Sequence, residues 1–129
     1  MPRRRLIAAL LLAAVSATSA HAERIRPDAN LLPVPLGATR ADVLLGDRIF
    51  HGEAAGGRCS ICHGIDAKGT ENGNDLTVGS WVWGDGSRKA LKATIMNNMK
   101  IAPGMDGELT PADVDAVVVY VWSLGHQKN

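Results

Sequence analysis

Cys59-Ser60-Ile61-Cys62-His63 uses both cysteines of a 129-residue chain within five positions and follows the second at once with a histidine. A Cys-x-x-Cys-His run is the attachment signature of c-type haem. The spacing lets two thiols reach the two vinyl groups of one porphyrin, and thioether bonds then fix the macrocycle to the backbone. His63 is placed so that an imidazole nitrogen can ligate iron. A chain stapled in this way has to fold around its cofactor, so this run limits the possible architectures more than any other. Three other readings fit less well. A disulfide across so small a loop constrains the unfolded chain little. A thioredoxin-like pair belongs in a βαβ pattern, and no such alternation surrounds it. A structural zinc site needs further ligands at short spacing, and beyond His63 only His21, His51 and His126 remain.

The N-terminus supports the same reading. Arg3, Arg4 and Arg5 form a positive region, Leu6 to Val15 is unbroken apolar sequence, and Ala20-His21-Ala22 is an A-x-A cleavage site. That is the layout of a secretory signal peptide. The apolar stretch is shorter than the ~20 residues of a spanning helix, which weighs against an uncleaved membrane anchor. Export predicts a periplasmic protein, the compartment where bacterial c-type haem is attached. Cleavage after residue 22 would remove three arginines and leave 11 basic against 13 acidic residues, a net charge of about −2. No basic run survives, which excludes a nucleic-acid binder. Weak acidity instead predicts protein partners met through complementary patches.

The remaining 107 residues make one small domain. Pro27, Pro33 and Pro35 make 23–38 an extended lead-in. Three helices follow from caps and apolar spacing. The first starts at Thr39 with Asp42 three residues on, and carries Val43, Leu44, Leu45, Ile49 and Phe50. Gly46 would let another backbone pass close by. The second takes Ser87 as its N-cap, runs to about Met99, and buries Leu91, Ile95 and Met99. The third has Thr110 as N-cap, Pro111 at N1 and Asp113 at N3. It continues through Val114, Val117, Val118, Val121 and Leu124, with Gly125 suited to the C′ position. A run of valines also fits a strand, but the caps and the length favour helix. Residues 64–86 hold six glycines and several Asn and Asp, so they read as loops. The expected fold class is all-α, with long loops wrapping a cofactor.

Over about residues 40–125 the chain resembles a class I c-type cytochrome. Leu45-Gly46-Asp47-Arg48-Ile49-Phe50-His51-Gly52 is similar to that family's N-terminal helix and the turn into the haem motif. His63-Gly64-Ile65-Asp66-Ala67-Lys68-Gly69-Thr70 is similar to its continuation after the motif. Tyr120-Val121-Trp122-Ser123-Leu124 looks like its closing helix. Trp81-Val82-Trp83-Gly84 before a Ser-capped helix resembles cytochrome domains serving terminal oxidases or periplasmic dehydrogenases. The resemblance implies that the last helix crosses the first near Gly46 and Phe50. The chain then divides into a signal peptide (1–22), the lead-in (23–38) and a cytochrome c domain (39–129).

The resemblance also implies site residues. Gly73-Asn74-Asp75-Leu76 stands where many members have Gly-Pro-x-Leu, which places Asn74 and Leu76 at the haem. Asn74 replaces a proline whose carbonyl accepts a hydrogen bond from the proximal histidine, and an asparagine carbonyl can still orient His63. The sixth ligand in this class is commonly methionine. Met105, on the loop Ile101-Ala102-Pro103-Gly104-Met105-Asp106-Gly107, is the first candidate; Met99, Met96 and His51 are the others. At helical spacing Met96 and Met99 also read as core filler. At least one of Trp81 and Trp83 is expected to touch the haem, the alternative being simple packing. Trp122 reads as core or partly exposed surface, His126 as a solvated tail residue. Arg58 is a candidate for partner docking, or an ordinary surface arginine.

Two protein ligands on iron would leave no open position for substrate, so the resemblance implies a one-electron carrier and not an enzyme. It would link a dehydrogenase or quinol-oxidising complex to an oxidase or reductase. The alternatives are a five-coordinate haem protein with sensing or peroxidase-like activity, and a dedicated electron-transfer subunit of a dehydrogenase complex.

Overall fold

Two reciprocal capping boxes set where the long helices begin. Thr39 Oγ1 accepts from the Asp42 amide (3.2 Å), and the Asp42 carboxylate accepts from the Thr39 amide (2.7 Å). Thr110 and Asp113 repeat the arrangement at 3.2 and 2.9 Å, with Pro111 in the first turn. Each box satisfies orphan amide donors that a helix start otherwise leaves open. Replacing Thr39 by alanine is expected to cost about 1 kcal/mol. A thermal melt should then show the midpoint fall by roughly 4–8 °C; an unchanged midpoint would mean that the cap contributes nothing.

The computed structural model describes residues 22–101 and 109–128. Four helices occur in it: α1 (Arg40–Phe50), α2 (Cys59–His63), α3 (Arg88–Ile101) and α4 (Pro111–Gly125). Strands are absent among the described residues apart from one isolated bridge between Thr70 and Gly73. The three predicted helices are present, and α2 is an additional short turn formed by the Cys-x-x-Cys-His run itself. No described helix is long and apolar enough to cross a membrane.

The valine run is a helix because α4 lies at the centre of the domain. Val114, Val117, Val118, Val119, Tyr120, Val121 and Leu124 are all buried, and a helix apolar all round belongs in a core. It packs against both α1 and α3. At the crossing with α1, a Cβ on Gly46 would stand 2.1 Å from the Ala116 carbonyl oxygen and 2.6 Å from Tyr120 Cβ. Only glycine permits that approach. Phe50 and Tyr120 then meet edge to face, with ring centroids 5.3 Å apart. From α1, Val43, Ile49 and Phe50 are buried, while Leu44 and Leu45 are only partly so.

Residues 22–38 run without helix, and Ala29 and Leu32 join the same core as the helices. Arginines tie this segment down. Arg24 donates to the Gly69 carbonyl (2.9 Å), Arg40 donates to the Ala29 carbonyl (2.6 Å), and Arg88 donates to the Leu36 carbonyl (2.5 Å).

Two expectations need correction. Gly125 is the last residue of α4 and not a C′ terminator; the cap is His126. Its missing Cβ instead makes room for Trp81, whose Cζ2 would lie 2.5 Å from that atom. His126 is solvent-exposed, as expected of a tail residue, yet it is held in place. It stacks on Trp122 with centroids 3.7 Å apart, and its Nδ1 donates to the Trp122 carbonyl at 2.7 Å. On α3, Leu91 is buried, but Ile95 and Met99 are only half-buried because their side of the helix faces a cleft.

Candidate haem site

The site is built on α2 and the loop that follows it. Residues 59–63 form barely more than one helical turn, and Gly64 ends it with φ +84°. The chain then folds back over the turn. The Gly69 amide donates to the His63 carbonyl (2.8 Å), and the Thr70 hydroxyl donates to the Cys62 carbonyl (2.5 Å). Gly73 sits so close that a Cβ would stand 2.6 Å from the Cys62 carbonyl oxygen. This tight return places the Asn74 carbonyl oxygen 2.8 Å from His63 Nδ1.

That contact fixes a tautomer. A carbonyl oxygen only accepts, so His63 carries its proton on Nδ1 and donates it to Asn74. Nε2 is left with the lone pair, as a metal-ligating histidine requires. The substitution of asparagine for proline keeps the acceptor because the acceptor is backbone.

Cys59, Cys62 and His63 open onto a cleft of about 390 Å³ between α2, α3, α4 and the loop 72–83. Phe50, Leu76, Leu91, Val117 and Val121 give it apolar walls, and Trp81 and Trp83 also line it. The volume lies in the range of small-molecule sites. Burial in this setting pushes the Cys59 thiol up to about 11, so it stays protonated near neutrality. Cys62 is exposed at the rim. An apolar cleft lined by two cysteines and one oriented imidazole suits a flat, largely apolar iron macrocycle. No group of three or more His, Cys, Asp or Glu suited to a bare metal ion occurs among the described residues.

The predicted site residues are brought together with one exception. Asn74, Leu76, Trp81 and Trp83 all line the cleft, with Trp81 half-buried and Trp83 69 % exposed. Arg58 lines it too, at an exposed position. Met105 lies outside the described residues. Met99 lines the cleft from α3. His51 is ruled out as a ligand by its own hydrogen bonds, since Nδ1 and Nε2 each face a backbone carbonyl oxygen, at 2.8 and 2.9 Å. Leu91, Ile95, Val117 and Val121 were legible as helix stripes, but nothing in their spacing separates core from cofactor wall. The Arg26–Asp47–Glu53 cluster beside His51 carries no sequence signal at all, because its members meet only in three dimensions.

A small helical frame around an apolar cleft, with a Cys-x-x-Cys-His turn for its floor, defines a protein that carries covalently held haem. The chain belongs to the cytochrome c family: the family model described as Cytochrome c matches residues 44–125, more than half of the chain. Haem c is therefore bound through Cys59 and Cys62, in an all-α class I c-type cytochrome. Among curated proteins, the chain is 32% identical to the cbb3-type cytochrome c oxidase subunit FixP of Bradyrhizobium sp. (strain ORS 278), over 54% of this chain and 27% of that protein. It is also 32% identical to the cbb3-type cytochrome c oxidase subunit CcoP of Rubrivivax gelatinosus, over 57% of this chain and 25% of that protein. The chain thus spans about a quarter of the length of these relatives. No solved structure matches. The family membership and these relatives support electron transfer by a haem protein.

Proposed function

We propose that this protein is an exported, periplasmic one-electron carrier that receives electrons from a dehydrogenase or quinol-oxidising complex and passes them to a terminal oxidase or reductase. The observation that carries the reading is the His63–Asn74 hydrogen bond, which orients an imidazole with Nε2 free beside the two thiols. Haem iron, when bound, supplies a ferric–ferrous couple at this position. The chain's own residues do the rest. His63 would hold the iron, and the Asn74 carbonyl, accepting from Nδ1, would fix the orientation of its ring. Phe50, Leu76, Leu91, Val117 and Val121 exclude water and lower the local dielectric. Ile61, 70 % exposed between the two cysteines, and the exposed Trp83 mark the open edge where a partner can approach. The resemblance of the chain to cbb3-type oxidase subunits supports an oxidase as the electron acceptor. Residues 1–22 act as the signal peptide in this reading.

Met105 is proposed as the second axial ligand, with Met99 as the alternative because it lines the cleft. Methionine ligation gives oxidised c-type cytochromes a weak long-wavelength absorption band. That band should vanish in Met105→Ala and persist in Met99→Ala, and the potential should fall in the former. The opposite pattern assigns Met99. A wild-type protein that lacks the band and binds carbon monoxide when reduced would replace the carrier reading with the five-coordinate one.

A further inference from the structure

We propose that His51 is a positioning residue for the haem site: a doubly protonated imidazolium that ties the chain just after His63 to helix α1. Its side chain is 5 % exposed. Nδ1 stands 2.8 Å from the Asp47 carbonyl oxygen and 3.1 Å from Asp47 Oδ1, while Nε2 stands 2.9 Å from the Ile65 carbonyl oxygen. All three oxygens only accept, so both ring nitrogens must donate. A neutral ring would turn a lone pair onto one of them.

The surrounding charges agree with that state. From the lead-in, Arg26 donates to both carboxylate oxygens of Asp47, at 3.1 and 2.6 Å, and pairs with Glu53 beyond the end of α1. Two carboxylates therefore face two cations, and the cluster is neutral only while His51 is charged. Tyr120 of α4 closes the other side, with its ring 6.2 Å from that of His51. Its hydroxyl is buried without a hydrogen-bond partner among the described residues. Burial, then the Asp47 charge, push that phenol well above its ordinary value, so it remains neutral.

The shifts follow from this geometry. Burial opposes charge on His51, but hydrogen bonds to the Asp47 carboxylate and to the Ile65 and Asp47 carbonyls outweigh it, raising the group above its ordinary 6.5. Burial likewise opposes ionisation of Asp47, and hydrogen bonds from His51 and Arg26 hold it below its ordinary 3.8. A raised histidine stabilises fully below 6.5 and loses that contribution as pH rises through the folded value. A lowered aspartate stabilises above 3.8 and loses its contribution as pH falls through the folded value. The clamp is complete between those two limits.

The clamp reaches iron by two short routes. Ile65 is two residues from His63, and the His51 ring packs on Phe50 (5.0 Å), which packs on His63 (6.3 Å). Loss of the His51 proton would remove a positive charge close to the residues that hold the haem, which favours the more positive ferric state. This step rests on His63 as the axial ligand.

Imidazole nitrogen shifts of the intact holoprotein, followed by NMR against pH, test the charge directly. The expected midpoint lies above 6.5, with both nitrogens protonated below it. A single-tautomer neutral ring at pH 6 overturns the proposal. In the same wild-type samples the reduction potential should fall with an inflection at that midpoint, and His51→Gln should lack the inflection. A wild-type potential that passes smoothly through the midpoint removes the positioning role even if the variant does not fold. The visible spectrum of each sample reports haem ligation separately, so failure of the His63 reading is distinguishable.

Discussion

Gly46→Ala is expected to be among the most damaging single substitutions in this protein. The added methyl would meet the Ala116 carbonyl oxygen at 2.1 Å and Tyr120 Cβ at 2.6 Å, so α1 and α4 have to move apart. Neither obstacle is the loose end of a flexible side chain. Overpacking of this kind costs about 3 kcal/mol or more, a large share of the 5–15 kcal/mol that holds an ordinary domain together. The melting midpoint should drop by at least roughly 10 °C. Phe50 and His51 sit on the same helix, so the haem spectrum should change as well. A melt within two or so degrees of wild type would mean that the two helices are not in close contact.

Removing both thiols has an effect of similar size by a different route. Cys59→Ser combined with Cys62→Ser should abolish covalent haem attachment altogether. Any pigment would then wash out in acidified organic solvent, and none would stay with the denatured chain on a gel. Cys59 contributes from the buried side and Cys62 from the rim, so each single variant should keep one thioether and a weakened attachment. The fold should suffer too. Without haem the apolar walls formed by Phe50, Leu76, Leu91, Val117 and Val121 would face water, so the melting midpoint should fall. Retention of solvent-resistant pigment by the double variant would defeat the attachment through these cysteines.

Both effects trace to features of different legibility. The cysteine run can be read without any structure because its chemistry is local: five consecutive residues carry the thiols and the imidazole. The helix starts were equally plain. Thr39 with Asp42, and Thr110 with Pro111 and Asp113, satisfy their own backbone donors within four residues. Gly46 was legible as a place where a backbone could pass, but the identity of that backbone came only from the resemblance. Asn74 was placed the same way, and the hydrogen bond to His63 spans 11 residues.

Other features could not be foreseen. Gly125 looked like a helix terminator by position, because its real role depends on Trp81, a residue 44 places earlier that fills the space of its missing Cβ. Ile95 and Met99 share one stripe with Leu91, and periodicity cannot distinguish a wall facing side chains from one facing a cofactor cleft. The Arg26–Asp47 pair joins residues 21 apart across a segment without helix, so no spacing rule brings them together.

The amino-acid order alone settled the cofactor, the all-α class and the starts of the long helices, because each depends on groups within a few residues of one another. Tertiary structure decided which stripes face the cleft, which glycines admit a neighbour, and that His51 lies among acceptors and a balanced cluster of charges. Those outcomes depend on burial and on electrostatics between segments far apart in the chain, and both exist only once the helices have crossed.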